Sequence, residues 1–348
     1  MSNKIKVAIV GTGTISNMHI QSYLNNPNVE LYAFCDLDEA KVKMMAEKYG
    51  VSRTYTDEET MLKELPEIDA VSVCVWNSNH MPCTVMALNY GKHVLCEKPM
   101  AVTDAQCQEM LAAAKQSGKR LLIAQNQRFA KAHMAAKQML EEGVIGKVIT
   151  FRSTFGHGGP ETWSISPGKD TWFFDKKRAA MGAMADLGIH KTDLLRYLLG
   201  QDVVRTTARL VTLDKRGPDD RLIGVDDNAF CIYEMSGGVF GTMTVSWTYY
   251  GAEDNSTVLY GTGGIMRIYD DPAHSIVVRT AEGEEKFFDV EQIQTNDNQT
   301  ASGVIDEFVS AVEEGRPSEL DADDVIKSMK AVFASIRSAE EGRTVEVE

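Results

Sequence analysis

The chain lacks the features that mark membrane and nucleic-acid-binding proteins. No apolar stretch in it approaches the roughly 18 residues that are needed to span a bilayer. Its densest basic run is the short Lys176-Lys177-Arg178, and 36 basic against 50 acidic side chains give a formal charge of −14. Because nucleic acids and anionic membranes attract basic proteins, we expect neither as a partner.

Motifs of metal chemistry and of covalent catalysis are also missing. The six cysteines (35, 74, 83, 96, 107 and 231) have no CxxC or zinc spacing, and the histidines and acids form no HExxH or three-ligand pattern. There is no GxSxG motif, and no cysteine has a visible histidine partner. We therefore predict no metal site and no serine or cysteine nucleophile.

The start of the chain carries charged residues and a short strand pattern instead of a signal peptide. Four of the six cysteines lie in or beside apolar strand-like runs, which suits reduced, buried thiols. We therefore expect a cytoplasmic protein. A length of 348 residues without repeats or low-complexity linkers suggests two domains.

The first third of the chain alternates between strand and helix patterns. Strands are predicted over residues 6–10, 31–35, 70–75, 93–96 and 120–124, and helices over 17–25, 39–49, 57–65, 81–90 and 104–117. Thr103 and Asp104 form a good N-cap for the last of these helices, and Gly118 a good C-cap. This alternation predicts an α/β domain over residues 1–124, with a doubly wound parallel sheet covered by helices on both faces.

After about residue 145 the pattern changes to successive strands with short turns. Strands are predicted over residues 148–155, 203–213, 227–235, 239–247, 256–261, 265–270, 275–280 and 286–290, and helices over 182–199, 299–314 and 323–341. This order predicts an α+β domain over residues 125–348 with an open, mostly antiparallel sheet. Neither face of strand 239–247 is strongly polar, so we expect helices on one face of the sheet and another subunit on the other.

A glycine-rich turn follows the first predicted strand. It reads Gly11-Thr12-Gly13-Thr14-Ile15-Ser16. Gly11 can take the tight turn, Gly13 lets a pyrophosphate approach the backbone, and the N–H groups at Thr14 and Ile15 begin a helix that can hold phosphates. The pattern is typical of a Rossmann dinucleotide-binding domain, although Ser16 stands where Gly or Ala is usual. The alternative is an ordinary turn.

Asp36 ends the second predicted strand, 25 residues after Gly11. A carboxylate at this place can accept hydrogen bonds from the adenosine ribose hydroxyls and would repel a 2′-phosphate. The sequence therefore favours NAD over NADP as cofactor. The alternative is that Asp36 only caps the helix that follows.

Two further segments carry polar groups suited to catalysis. Lys98, in Cys96-Glu97-Lys98-Pro99, follows a parallel strand whose carboxyl end faces the cofactor crevice, and it can stabilise negative charge on a substrate oxygen. Asp186 and His190 lie at i and i+4 of a predicted helix, an arrangement in which the carboxylate can orient the imidazole as a general base. The alternatives are a surface lysine and a helical salt bridge.

Substrate contacts are expected from two stretches. Arg128, in the polar segment 124–129, can lie at the lip of a cleft, or the segment can be a polar joint between domains. The stretch 152–173 offers His157, Trp163, Lys169 and Trp172, whose rings suit sugar C–H surfaces and whose polar groups suit hydroxyls. The alternative for the aromatic residues is that they belong to the core.

Together these segments resemble the glucose–fructose oxidoreductase/inositol dehydrogenase/MocA (Gfo/Idh/MocA) family over nearly the whole chain. The marks are GTGTIS at 11–16, Asp36, EKP at 97–99 and GAMADLGIHKTD at 182–193. By motif position the resemblance implies that Lys98 is the active-site lysine and that Asp186 and His190 face the substrate. Asn79, His80 and Glu97 are expected at the cofactor, although Trp76-Asn77-Ser78 replaces the usual Thr-Pro.

The resemblance implies NAD(P)-dependent hydride transfer at a hydroxyl- or carbonyl-bearing carbon of a sugar, inositol or related polyol. It also implies a homodimer or homotetramer formed through the sheet of the second domain. Two alternatives stay open: a non-catalytic NAD-binding regulator, and a glycosidase that retains NAD for transient oxidation.

Overall fold

We analysed a computed structural model of the chain, which describes residues 4–164, 167–290 and 302–348. The described backbone forms two compact units. The first comprises residues 4–125 and 302–326, and the second comprises residues 126–290 and 327–348. No helix of the described ranges is both long and apolar enough to cross a bilayer.

The first unit contains a six-stranded parallel sheet. Its strands are β1 (Ile5–Val10), β2 (Val29–Cys35), β3 (Thr54–Tyr55), β4 (Ala70–Val73), β5 (His93–Cys96) and β6 (Leu121–Ile123), in the spatial order β3-β2-β1-β4-β5-β6. The intervening helices are α1 (Thr14–Asn25), α2 (Glu39–Tyr49), α3 (Glu58–Glu64), α4 (His80–Asn89) and α5 (Asp104–Ser117). This strand order places the switch in connection direction between β1 and β4, where doubly wound sheets bind ligands.

Local sequence signals explain several boundaries in the first unit. The Asp38 side chain accepts a hydrogen bond from Lys41 N at the start of α2, and Thr103 Oγ1 accepts one from Gln106 N at the start of α5. α5 ends at Gly118 in the left-handed conformation, as predicted. The central strands β1 and β4 are almost completely buried, which explains their continuous apolar sequence.

The second unit contains a nine-stranded sheet. In chain order its elements are α6 (Lys131–Glu141), β7 (Val148–Gly156), α7 (Lys176–Ala179), α8 (Ile189–Leu199), β8 (Val203–Val211), β9 (Asn228–Met235), β10 (Phe240–Ser246), β11 (Thr257–Gly261), β12 (Gly264–Ile268), β13 (Ile276–Thr280) and β14 (Glu285–Phe288). After α9 (Val304–Glu314) come α10 (Ala322–Glu341) and β15 (Val345–Glu346). The strand order is β14-β13-β12-β11-β7-β10-β9-β8-β15.

The predicted fold class is confirmed, because one sheet is parallel and the other is mostly antiparallel. Within the second sheet only β7 and β10 pair in parallel. One face of this sheet carries helices: Thr206 on β8 hydrogen-bonds Ser335 on α10 at 3.1 Å, and Tyr233 on β9 hydrogen-bonds Thr192 on α8 at 3.0 Å.

The structure differs from the sequence analysis at several helices, among them α6 and α9. The sequence analysis did not predict α6, whose N-cap residue, Ala130, makes no side-chain cap within the described residues and so offers no start signal. α9, assigned to the second domain from sequence, belongs to the first unit. There Asn26 Nδ2 donates to Asp306 Oδ1 and Asn28 Nδ2 donates to Glu313 Oε2, each at 3.0 Å. As a division into independently folding domains, 1–124 and 125–348 stays a prediction.

Candidate active site

The glycine-rich turn lies at the carboxyl end of β1. Gly11 has a φ of +90°, and a Cβ built on it would lie 2.5 Å from the carbonyl oxygen of Cys74. The turn therefore needs glycine at this position because the chain after β4 passes directly against it. Gly13 differs, since a Cβ on it would have no heavy atom within 4 Å among the described residues.

Gly13 is also the N-cap of α1, and no side chain caps the helix within the described part of the chain. The first N–H groups of α1, at Thr14 and Ile15, can therefore bind an external anion such as a pyrophosphate. Ser16 Oγ donates to Gly13 O at 2.7 Å and so turns inward. These residues fit the phosphates of a dinucleotide.

Asp36, directly after β2, has a carboxylate that is held from three sides. Thr12 donates its backbone N–H at 2.7 Å and its hydroxyl at 2.8 Å to Oδ2, and Asp38 N donates to Oδ1 at 3.0 Å. Burial alone would raise the pKa of Asp36. These hydrogen bonds and the positive charge of Lys41, whose Nζ lies 3.3 Å from Oδ2, lower that pKa below its usual value. Asp36 is therefore ionised, and the cap of α2 is Asp38.

The loop after β5 is organised by a buried polar network. Glu97 Oε1 lies 2.7 Å from His19 Nε2, and His19 Nδ1 lies 2.9 Å from Ser72 Oγ. The second carboxylate oxygen of Glu97 accepts the backbone N–H of Lys98 at 3.1 Å. Burial works against ionisation of Glu97, but the bond to His19 lowers its pKa, so Glu97 stays charged and fixes the backbone of Lys98.

Lys98 itself is partly exposed and follows β5 directly. His80, one of the predicted cofactor residues, has a buried ring. Its Nδ1 atom lies 2.7 Å from Pro99 O, and its Nε2 atom lies 3.1 Å from Val75 O. Burial lowers the pKa of His80, so a neutral ring donates to Pro99 O, the shorter contact. His80 thus joins the loops after β4 and β5. Asn79 donates its N–H to Trp76 O.

In the second unit, Asp186 lies in a single π-helical turn, Met184–Gly188, which continues into α8 with His190. The predicted uniform helix over 182–199 is thus two kinds of helix. Asp186 and His190 are both buried, and Trp247 Nε1 donates to Asp186 Oδ2 at 3.1 Å. Sequence reasoning missed Trp247, because nothing in the sequence around this residue, which directly follows β10, links it to Asp186, 61 residues earlier.

Aromatic rings surround this pair. The His190 ring centroid lies 6.0 Å from Phe155, Phe155 lies 5.9 Å from His157, and His157 lies 6.0 Å from Trp163. Phe173 continues the chain of contacts, 5.2 Å from Trp163 and 6.3 Å from Trp247. We call this set the aromatic cluster; its members are Phe155, His157, Trp163, Trp172, Phe173, Asp186, His190 and Trp247. It runs from the imidazole of His190 back to Trp247, the partner of Asp186.

Trp172 and Phe173 stack at 4.0 Å between centroids, and both keep part of their surface exposed, whereas the neighbouring Phe174 is buried. Burial typical of a core ring is therefore found at Phe174 and not at Trp172 or Phe173. His157 accepts the N–H of Gly159 on Nδ1 at 3.0 Å, which fixes its ring within the loop after β7.

Arg128 occupies a different environment from the other predicted substrate residues. Its guanidinium donates from Nε and Nη2 to the two carboxylate oxygens of Asp193 at 2.7 and 2.6 Å, and Ser328 Oγ donates to the same carboxylate at 2.8 Å. Both members of the pair are buried. The ion pair joins the segment before α6 to α8 and α10, and a substrate contact of Arg128 stays a prediction.

Lys191, next to His190, was also missed by the sequence analysis. Its side chain is fully buried, and Nζ donates to Asn255 O at 2.9 Å. Burial lowers the pKa of Lys191 to about 7, against the attraction of Asp254 and Glu253. No group of three His, Cys, Asp or Glu side chains suited to a metal occurs in residues 4–164, 167–290 and 302–348.

Two family models and several known proteins match this chain. The GFO/IDH/MocA oxidoreductase family model, with an NAD-binding Rossmann fold, matches residues 5–125, and the GFO/IDH/MocA C-terminal domain model matches residues 133–267. D-glucoside 3-dehydrogenase of Escherichia coli (strain K12) is 33% identical over 207 residues, covering 59% of this chain and 57% of that protein's length. Myo-inositol 2-dehydrogenase of Thermotoga maritima is 26% identical over 99% of both chains.

Among solved structures, aldose-aldose oxidoreductase from Caulobacter crescentus, in complex with glycerol, superposes with a TM-score of 0.82. It is 28% identical and the match covers 99% of this chain and 100% of that one.

Proposed function

Because the chain belongs to the Gfo/Idh/MocA oxidoreductase family, we propose that it transfers a hydride between a nicotinamide cofactor and a hydroxyl- or carbonyl-bearing carbon of a sugar, inositol or related polyol. The observation that carries the choice of substrate is the aromatic cluster, in which Asp186 and His190 lie against the buried rings of Trp247 and Phe155, while Trp163, Trp172 and Phe173 keep part of their surface exposed. Aromatic faces pack well against sugar C–H surfaces, and buried polar groups discriminate hydroxyls.

The first unit supports the cofactor part of the proposal. Gly13, the uncapped start of α1 and the ionised Asp36 fit the pyrophosphate and ribose of a dinucleotide. When bound, the nicotinamide ring would accept or supply the hydride. Thr14 and Ile15 would hold the phosphates through their N–H groups, and Asp36 would accept from the ribose hydroxyls.

The proton steps are assigned to this chain's own side chains. During oxidation His190 takes the proton of the substrate hydroxyl, and during reduction it returns that proton to the oxygen. Asp186, held by Trp247, orients the imidazole or binds an adjacent hydroxyl. Lys98 donates to the reacting oxygen and stabilises its alkoxide character.

The experiment is NADH formation with a panel of inositols, aldoses and sugar acids, comparing the wild type with Lys98→Met. We expect turnover in the wild type and a fall of at least about 100-fold in the variant. Lys119→Met, a partly exposed lysine of the same unit, serves as the control and should keep full turnover. Full turnover in Lys98→Met would contradict the role of Lys98. NAD binding without turnover on any substrate would instead favour a regulator or an NAD-retaining glycosidase.

For the finer choice of cofactor we propose NAD, because the lowered pKa of Asp36 keeps a negative charge where NADP carries its 2′-phosphate. Asp36→Asn should raise the ratio of kcat/KM for NADP to that for NAD by about tenfold or more. Asp38→Asn removes a charge two residues away and keeps the cap acceptor of α2, so it should leave the ratio unchanged. An equal change in both variants would contradict the assignment.

We further propose that a second copy of the chain covers the outer face of the nine-stranded sheet. Phe230, Ile232 and Phe240 alternate with inward residues on β9 and β10 and are 45%, 40% and 53% exposed. Ile232→Glu should shift the protein toward monomer in analytical ultracentrifugation. Met44→Glu, at an exposed apolar residue of α2, is the control and should leave the sedimentation unchanged. A monomeric wild type would contradict the proposal.

A further inference from the structure

The segment that carries Asp186 and His190 is closed at its start by a residue from another part of the chain. Asp226, in the loop before β9, accepts the N–H of Gly182 on Oδ1 at 3.0 Å and the N–H of Met184 on Oδ2 at 2.7 Å. Its backbone carbonyl accepts the N–H of Ala183 at 2.8 Å. Three consecutive N–H groups at the start of the π-helical turn are thus all bonded to one residue.

The contact is close enough to demand glycine. A Cβ on Gly182 would lie 1.9 Å from Asp226 O and 2.7 Å from Asp226 N. No side-chain rotation relieves this clash, because the obstructing atoms belong to the backbone. The two segments are therefore held in one register, and the start of the turn cannot move without moving Asp226.

The same loop also holds the partner of Asp186. Asp227 O accepts the backbone N–H of Trp247 at 2.8 Å, and the Trp247 indole donates to Asp186 Oδ2 at 3.1 Å. Residues 226 and 227 are thus connected to Asp186 in two ways. Asp226 bonds the N–H groups at the start of its helical turn, and Asp227 bonds the backbone of Trp247, whose indole bonds Asp186. We propose that Asp226 is a positioning residue that sets the orientation of Asp186 and His190. The proposal rests on the proposed function for the chemistry of that pair.

The electrostatics of Asp226 agree with a functional role. Burial raises the pKa of its carboxyl to about 6, the neighbouring charge of Asp227 adds to this, and the N–H donors of Met184 and Gly182 oppose it. On β9, burial raises the pKa of Cys231 to about 12, and the charge of Asp226 adds to this. The contribution of Asp226 to folding stability is therefore greatest below pH 3.8 and is lost as the pH rises through about 6.

At neutral pH the chain thus keeps a carboxylate that lowers stability and orders the start of the turn, a combination typical of functional sites. Asp226→Asn tests this. An amide oxygen can accept only one of the two N–H groups, and the amide NH₂ faces the other. We expect kcat to fall by about 10- to 100-fold, an unchanged Kd for NAD, and a Tm at pH 8 that is no lower than that of the wild type.

The control is Asp321→Asn, an aspartate of the first unit directly before α10. The Asp321 carboxylate accepts the N–H of Ser318 on Oδ2 at 2.9 Å, and the same oxygen lies 3.5 Å from Nη1 of Arg120. We expect this variant to lose Tm and to keep most of kcat. A purely structural role of Asp226 would give the opposite result in the test variant, with a lower Tm and an unchanged kcat.

The pH profile separates positioning from folding. The ratio of wild-type kcat to Asp226→Asn kcat should be largest above pH 6 and should shrink below it, because protonation leaves the wild type with a single good acceptor. The same ratio at every pH would overturn the proposal.

A second measurement needs neither activity nor a variant. In wild-type protein, hydrogen exchange corrected for its intrinsic pH dependence should show protection of the Gly182 and Met184 amides, which bond the carboxylate, falling below pH 6. The Ala183 amide, which bonds the backbone carbonyl of Asp226, and the amides of β9 and β10 should keep theirs. Unchanged protection would overturn the positioning role. Absence of turnover on every sugar together with this pH-dependent protection would overturn the proposed function and leave the role of Asp226 in ordering the segment intact.

Discussion

The two units hold their candidate site residues in place in different ways. In the first, the groups that fit a dinucleotide follow directly after β1, β2 and β5, and parallel strands bring such ends to one edge of the sheet. In the second, Asp186 depends on Trp247 and Gly182 on Asp226, partners 61 and 44 residues away. A parallel sheet thus concentrates function in short motifs, whereas the larger mixed sheet assembles it from distant segments.

This contrast implies that a substitution in the second unit disturbs residues that are more distant in the sequence. Arg128→Ala should have the largest effect, because it leaves the buried carboxylate of Asp193 without its main partner. We expect a loss of about 3–5 kcal/mol in the free energy of unfolding, measured by urea denaturation.

The control for Arg128 is Arg152→Ala, which removes one of two arginine partners of Asp270, the other being Arg267, at a residue whose side chain is 54% exposed. Its expected cost is below about 0.5 kcal/mol. A normal stability in Arg128→Ala with a raised KM for sugar would instead support the substrate contact that the sequence suggested.

The next largest effect on stability is expected at Gly11, whereas Gly13 in the same glycine-rich turn should tolerate alanine. Gly11→Ala should cost about 2–4 kcal/mol of folding stability, because its Cβ meets Cys74 O and its φ is positive. Gly13→Ala should leave Tm almost unchanged, since its Cβ meets no heavy atom of the described chain, and should weaken NAD binding. Thermal melts and NAD titration of both variants check this. Equal losses of Tm would show that Gly13 also serves packing.

The smallest effect is expected from Trp247→Phe. It removes the hydrogen bond to Asp186 and keeps an aromatic ring against Phe173. Stability should fall by about 1–2 kcal/mol, and kcat should fall by about tenfold because Asp186 loses one donor. Steady-state kinetics and urea denaturation measure the two quantities. A stability loss without any change in kcat would indicate that Trp247 only packs.

Much of the fold could be predicted from the sequence, because strand and helix periodicity, caps and turns are local properties. The strands around Gly11, Asp36 and Lys98 lie where the pattern placed them. α6 was missed because its N-cap residue, Ala130, gives no start signal. The sequence of α9 shows an apolar face without showing what it packs on, so its place in the first unit could not be read from the sequence. The roles predicted for Lys98, Asp186 and His190 stay predictions.

The sequence by itself determined which residue types are available, the α/β alternation of the first unit, the glycine-rich turn and the family resemblance. Only the tertiary structure decided that Arg128 forms an ion pair with Asp193 and that His80 joins two loops. It also decided that Trp247 hydrogen-bonds Asp186 and that Asp226 hydrogen-bonds the start of the same turn. The physical reason is that periodicity and turn chemistry act over a few neighbouring residues. A buried hydrogen bond between residues 19 to 65 positions apart exists only once the fold brings the two groups together.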